Sequence, residues 1–139
     1  MWILPSRNRP HNLKRFFANC RVTEVTSPGV VCIRDDDPSR AEYEALDLPS
    51  NWKLVAYPPM SMVERTNQVF YDNPNEPWYG YVDDDAVPET PLWDKRLIDA
   101  AGRNGIAHPF NGIGNEKLAS QFVMGGDLAR DLGWILLKG

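Results

Sequence analysis

Residues 2–17 read WILPSRNRPHNLKRFF, and three physical regimes follow one another in that stretch. Trp2-Ile3-Leu4 is a short apolar run closed by Pro5, the pattern of a strand that starts at once and enters a Pro-bounded loop. Ser6-Arg7-Asn8-Arg9 is polar and basic. Pro10 then suits the first position of a helix, and Leu13, Phe16 and Phe17 recur at the spacing of one helix face. Strand, polar loop and helix make the first half of a βαβ unit.

The same grammar repeats outward from there. Val30-Val-Cys-Ile33 reads as a second strand that stops at Arg34-Asp-Asp-Asp37. A short helix is expected over 41–46, and Lys53-Leu-Val-Ala-Tyr57 is a third strand, closed by Pro58-Pro59. Ser61 with Glu64 three residues later is a capping-box signature for a helix reaching about Tyr71. Beyond the breaker Asn73-Pro-Asn-Glu-Pro77, a fourth strand from Trp78 to Val82 delivers Asp83-Asp84-Asp85. Leu92, Trp93, Leu97, Ile98 and Ala101 have helical spacing, with Gly102 as the stop. A strand and glycine-rich turn over 105–114, a strand over 120–124, a Gly125-Gly126 turn and a helix from Asp127 to Leu137 complete the reading, with Trp134 in the core.

Strands alternating with helices predict a three-layer α/β/α sandwich with a mainly parallel sheet, as one domain over 1–139. In such sheets ligands bind beyond the carboxyl ends of the strands. The polar clusters at 5–9, 34–37 and 83–85 each follow a strand, so they are expected to converge on one edge.

Hydrophobic residues make up 42% and charged residues 24% of the 139 positions, ordinary globular values. No apolar run approaches bilayer-spanning length. The N-terminus lacks a basic start and a long apolar segment, so no secretory signal is expected and a cytoplasmic location is the default. A formal charge of −4 argues against a sequence-independent grip on nucleic acid. Cys20 and Cys32 are not a disulfide framework, and with two histidines any metal site must be mainly carboxylate, which suits Mg²⁺ or Mn²⁺.

Side chains alternate along an extended backbone, which would put Asp83 and Asp85 on one side and Asp84 on the other. Such a pair is enough for a divalent ion shared with a diphosphate; a solvated acidic turn is the competing reading. Asp35-Asp36-Asp37 precedes a turn-like Pro38-Ser39, so local backbone bonding stands beside recognition of a base or ribose by Asp35 or Asp36. Arg7 and Arg9 suit phosphate neutralisation or stabilisation of a leaving diphosphate. Arg65 and Asn67, ahead of the fourth strand, either reach the same cleft or decorate a helix. His108 is a candidate third metal ligand or a structural histidine. Asp127 suits a helix N-cap, or a base that takes a proton from an acceptor hydroxyl.

In order, these motifs resemble a glycosyltransferase of the GT-A fold, the Rossmann-like nucleotide-diphospho-sugar transferase class. Pro5-Ser6-Arg7-Asn8-Arg9-Pro10 resembles its nucleotide-binding loop, and Asp35 or Asp36 its base-contacting acid. Arg65-Thr-Asn67 is similar to an Arg-Asn pair of many members. Tyr81-Val-Asp-Asp-Asp85 resembles the DxD motif that handles ribose and metal, through Asp83, Asp84 and Asp85. Met124-Gly-Gly-Asp127 resembles the acceptor-side turn, where inverting members carry a catalytic carboxylate. The chain is shorter than typical members, which leaves acceptor-binding elements absent or supplied by a partner chain or second copy.

The resemblance implies metal-dependent transfer of a sugar, from a UDP-sugar first of all, to a hydroxyl acceptor that the sequence does not specify. A non-catalytic nucleotide-sugar or metal-binding module is one alternative. A sugar-phosphate nucleotidyltransferase is another, disfavoured because no glycine-rich loop with a following Arg-Lys pair comes after the first strand.

Overall fold

The computed structural model describes residues 1–109 and 120–137. Among these, β1 (Trp2–Pro5), β2 (Gly29–Arg34), β3 (Trp52–Tyr57), β4 (Trp78–Tyr81), β5 (Ile106–Ala107) and β6 (Phe122–Gly125) form one sheet in the order β3-β2-β1-β4-β6-β5. The helices are α1 (Pro10–Val22), α2 (Arg40–Glu44), α3 (Met62–Asp72), α4 (Trp93–Ala101) and α5 (Gly126–Leu132). The pairs β1–β2, β2–β3 and β1–β4 are parallel, whereas β6 runs antiparallel to both β4 and β5. The expected mainly parallel sheet is present. The chain adds β2 and β3 on one side of β1, then crosses back to place β4 on the other, so the topological switch lies between β1 and β4.

Alternation along the buried strands divides the core in two. Trp2, Leu4, Val31 and Ile33 face a layer with Leu13, Phe16, Phe17 and Tyr43 from α1 and α2. Ile3, Val30 and Cys32 face the other way, against Val69 and Phe70 of α3, Ala129 of α5 and Ile135. Each fully buried side chain of this size contributes about 2 kcal/mol through removal of apolar surface from water. Trp2 pairs with Gly80 across β1 and β4, and a Cβ at Gly80 would run into the indole ring.

Local signals set most boundaries. Both halves of the Ser61–Glu64 capping box form, and α4 stops at Gly102 with φ +56°. The C-terminal helix is shorter than its pattern predicts, because Gly133 takes φ +78° and ends α5 there. Ile135 then returns to the core at 1% exposure, while Trp134 stays half-buried. The expected Gly125-Gly126 turn is instead the junction of β6 with α5, where a Cβ on either residue would strike a carbonyl. The glycine-rich turn expected at Gly112 and Gly114 lies outside the described residues. No helix among the described residues is long and apolar enough to cross a membrane.

Candidate functional site

The parallel strands β1, β2 and β4 bring their three polar clusters to one edge, and hydrogen bonds there tie the clusters to each other. At its centre is the loop after β1. Ser6 donates its hydroxyl to Asp84 Oδ2 at 2.6 Å, because a carboxylate offers only acceptors. The Ser6 oxygen, 2.7 Å from the Tyr43 hydroxyl, therefore accepts from it. Tyr43 in turn accepts from the Arg9 backbone N–H at 2.9 Å. Burial raises the pKa of Tyr43, which keeps this hydroxyl protonated as the donor. The result is a directed relay from the Arg9 amide through Tyr43 and Ser6 to Asp84.

Asp84 is 1% exposed and also takes Arg9 Nη2 at 2.9 Å and Asn12 Nδ2 at 3.4 Å. Asp37, 5% exposed, does the matching work from β2: its Oδ2 accepts from the Asn8 amide and its Oδ1 from Ser39, both at 2.9 Å. Each acidic triplet thus buries one carboxylate against the same loop. Between the two clamps Asn8 adopts φ +54°, a left-handed conformation that Asn tolerates better than most residues. Its side-chain oxygen accepts from the Ser39 hydroxyl at 2.8 Å, which holds the bend.

A cleft of about 340 Å³ opens beside this loop, lined by Pro5 and Ser6 of the β1 end, Met60, Ser61 and Met62 at the start of α3, and the arginines 7, 9, 34 and 65. Among the described residues no acidic one lines it. Arg34 is held by Asp36 through two bonds, of 2.7 and 2.5 Å, which lower the Asp36 pKa. Arg7 has no ion pair among the described residues. Asp35 stays exposed at the end of β2.

At the adjoining β4 end the strand stops at Tyr81, and 83–86 forms a turn closed by Ala86 N–H on the Asp83 carbonyl at 3.2 Å. The alternation expected for an extended Asp83–Asp85 is broken by that turn. Asp83 is half-buried and its Oδ1 accepts from the Tyr81 hydroxyl at 2.7 Å; burial raises its pKa, partly offset by that bond. The same hydroxyl touches Met62 Sδ at 3.5 Å, so Asp83 stands against the cleft wall. Asp85 is exposed, and its backbone carbonyl accepts from Arg15 at 3.1 Å. Asp83 keeps a second oxygen and Asp85 a free carboxylate. Both are oxygen donors, the chemistry that a Mg²⁺ or Mn²⁺ ion would take beside water and phosphate.

Three expected site residues lie elsewhere. Because β6 is antiparallel to β4, Gly125 pairs with Trp78 at the start of β4, and Asp127 therefore emerges at the amino edge of the sheet. It is not the N-cap, and it lies at the opposite edge from the Ser6–Arg9 loop. Gly125 caps α5, and Asp127 bonds Arg103 at 2.7 and 2.9 Å and Arg130 at 2.5 Å. Asn67 is 1% exposed and spends its amide on the C-terminal segment, donating to the Leu136 carbonyl and accepting from the Ile135 and Leu136 amides. Arg65, two residues earlier, lines the cleft. Positions two apart on a helix do not share a face, so the Arg-Asn pair splits. His108 is exposed beyond β5, with β6 between that strand and β4, and its ring contacts the Pro109 carbonyl at 3.3 Å. Among the described residues no three metal-ligating side chains cluster.

No protein-family model matches the chain, and no curated protein matches it. Solved structures do. A 4-diphosphocytidyl-2C-methyl-D-erythritol synthase from Anaerococcus prevotii superposes with a TM-score of 0.65 at 11% identity, covering 95% of this chain and 72% of the synthase. Another crystal structure of a synthase of that name superposes with a TM-score of 0.64, again at 11% identity, covering 95% and 77%. The chain shares their fold. The expected α/β sandwich thus stands, while these neighbours are diphosphocytidyl synthases and not glycosyltransferases.

Tyr43 and Asn12 are site-building residues that the motifs do not mark, while Asp37 belongs to a marked triplet and makes the local backbone bond expected of it, to the Ser39 amide. Asn12 leaves a trace, since it is a polar residue on the buried face of α1 beside Leu13 and Phe16. Tyr43 sits in a five-residue helix and reads as ordinary core.

Proposed function

We propose that the chain is a nucleotidyltransferase that binds a nucleoside triphosphate across the ends of β1, β2 and β4. The observation that carries this reading is the clamped loop Ser6–Arg9, bent at a left-handed Asn8 and facing a cleft lined by four arginines and, among the described residues, by no acid. The absence of a glycine-rich loop counts less against nucleotidyl transfer than the bare sequence suggests, because Asn8 supplies the conformation that glycine would.

In the reaction an oxygen of a phosphate-bearing acceptor attacks the α-phosphorus of the nucleotide. A new P–O bond forms, the bond to the β-phosphate bridge breaks, and pyrophosphate leaves with the electron pair. Arg7 and Arg9 stabilise charge on the leaving group. Asp83 and Asp85 are the residues that would hold Mg²⁺ or Mn²⁺, which when bound neutralises phosphate charge. Asp35 remains for base or ribose recognition. An ionised phosphate acceptor needs no general base, which agrees with the position of Asp127 on the far edge.

Calorimetry with CTP, UTP and UDP, with and without Mn²⁺ or Mg²⁺, tests the reading. CTP comes first, because both structural neighbours are named for a diphosphocytidyl product. Pyrophosphate release on adding a panel of sugar and polyol phosphates identifies the transferase. Metal-dependent release of UDP from a UDP-sugar would instead favour glycosyl transfer, and binding without turnover a non-catalytic module. Absence of all nucleotide binding would overturn the proposal.

A further inference from the structure

Arg65 carries a charge that its surroundings do not balance. It lies in the second turn of α3 at 4% exposure. One guanidinium nitrogen donates to the Met60 carbonyl at 3.2 Å, while its Nε has no hydrogen-bond partner. No carboxylate pairs with it among the described residues. The Cys32 thiol beside it is fully buried, and burial pushes its pKa up to about 12, with Arg65 pulling partly the other way. Cys32 therefore stays a neutral thiol and supplies no counter-charge. A buried guanidinium without a carboxylate partner is costly, and an anion in the cleft would offset that cost.

The place for that anion is at hand. Arg65 lines the arginine cleft together with Arg7 and Arg34, and Ser61 and Met62 bring the first turn of α3 to the same wall. Helix N-termini favour phosphate through backbone N–H groups and the helix dipole, although the Glu64 carboxylate folded onto Ser61 in the capping box offsets part of that field. Neither the Asp83 nor the Asp85 carboxylate lines the cleft, although Asp83 stands behind its wall at Met62.

We propose that Arg65, Arg7, Arg34 and the first turn of α3 form a metal-independent subsite for a phosphate group. This deepens the nucleotidyltransferase reading and rests on it only for the source of the phosphate. That source is either the phosphate tail of the nucleotide or the phosphomonoester of the acceptor.

Titration of the full chain with inorganic pyrophosphate in EDTA tests the subsite without help from a metal. Saturable binding is expected, weakened about tenfold or more in Arg65→Gln, the loss of roughly one charge-assisted hydrogen bond. Arg7→Gln, at an exposed position, is the second variant if Arg65→Gln fails to fold, and it should weaken binding several-fold. Unphosphorylated cytidine should bind the wild type and both variants alike. Pyrophosphate that competes with CTP assigns the subsite to the nucleotide tail. Glycerol phosphate that displaces pyrophosphate but binds together with CTP assigns it to the acceptor. No pyrophosphate binding in EDTA, or equal binding by wild type and both variants, would overturn the subsite. Pyrophosphate binding that behaves as expected in a chain that binds no nucleotide would retain the subsite and remove the nucleotide reading.

Discussion

Ser6 and Asp84, 78 positions apart in the chain, meet in a buried hydrogen bond of 2.6 Å that joins the end of β1 to the turn after β4. The contact crosses the topological switch of the sheet, where a ligand crevice is expected on physical grounds. Asp84→Ala strands the Ser6 hydroxyl and the Asn12 amide in a dry site and releases the Arg9 side chain. A loss of about 2–4 kcal/mol in urea-induced unfolding is expected, more than an exposed charge can cost. Asp85→Ala should leave the unfolding midpoint unchanged while reducing metal-dependent nucleotide binding, which separates the two neighbours by role.

The bend at Asn8 makes a second, independent claim. A β-branched side chain is poorly tolerated at φ +54°, so Asn8→Val should cost about 1–2 kcal/mol and weaken phosphate binding along with it. Asn8→Gly should stay within about 1 kcal/mol of the wild type, because freedom at φ offsets the lost bond to Ser39. If the two variants lose stability equally, the conformation is not what the position requires.

Asn67 holds the C-terminal segment through three buried hydrogen bonds and does not face the cleft. Asn67→Ala should therefore lower stability by about 2–4 kcal/mol yet leave pyrophosphate affinity per folded molecule unchanged. Calorimetry well below the melting temperature, with the folded fraction measured by circular dichroism, checks this. A loss of affinity comparable to that of Arg65→Gln would restore Asn67 to the site.

Asp127 is expected to be dispensable for chemistry. It sits at the amino edge of the sheet in an exposed ion-pair pair with Arg103 and Arg130, which lower its pKa. Asp127→Asn should retain the turnover of the wild type across the pH range, as read by pyrophosphate release. A fall of two orders of magnitude would place a base there after all.

Much of this fold is legible because local chemistry and burial agree. Each parallel strand is an apolar run cut off by polar residues, and the Ser61–Glu64 box and Gly102 mark helix ends that the backbone then adopts. Strand direction is not legible in the same way. The strand expected over 120–124 reads the same in sequence for parallel and antiparallel pairing, and with β6 reversed Asp127 moves from one edge of the sheet to the other. Burial within a charged triplet is equally hidden, since Asp37 and Asp84 owe it to Asn8, Ser6 and Asn12, which are distant in sequence. Arg65 and Asn67 show the third limit: a motif spaced two apart reads as one pair, but helix geometry sends its members to different partners.

Asp83 gives the final prediction, because its half-buried carboxylate links stability to metal binding with opposite signs. Burial raises its pKa above the ordinary 3.8, the Tyr81 hydroxyl offsets part of that rise, and the neighbouring Asp85 and Asp84 add to it. A carboxyl whose folded pKa exceeds its unfolded value stabilises the fold when protonated. Its contribution is complete below 3.8 and is lost as pH climbs through the raised folded value. Asp83→Asn removes that loss, so the variant should melt higher than the wild type at neutral pH and the difference should shrink on acidification. Metal needs the ionised form, so Mn²⁺-dependent nucleotide binding by the wild type should weaken over the same acidic window and be reduced in Asp83→Asn at every pH. Thermal melts and calorimetry over a shared pH series test both halves. A variant that is less stable than the wild type at neutral pH would mean that the Tyr81 bond, and not burial, dominates at this carboxylate.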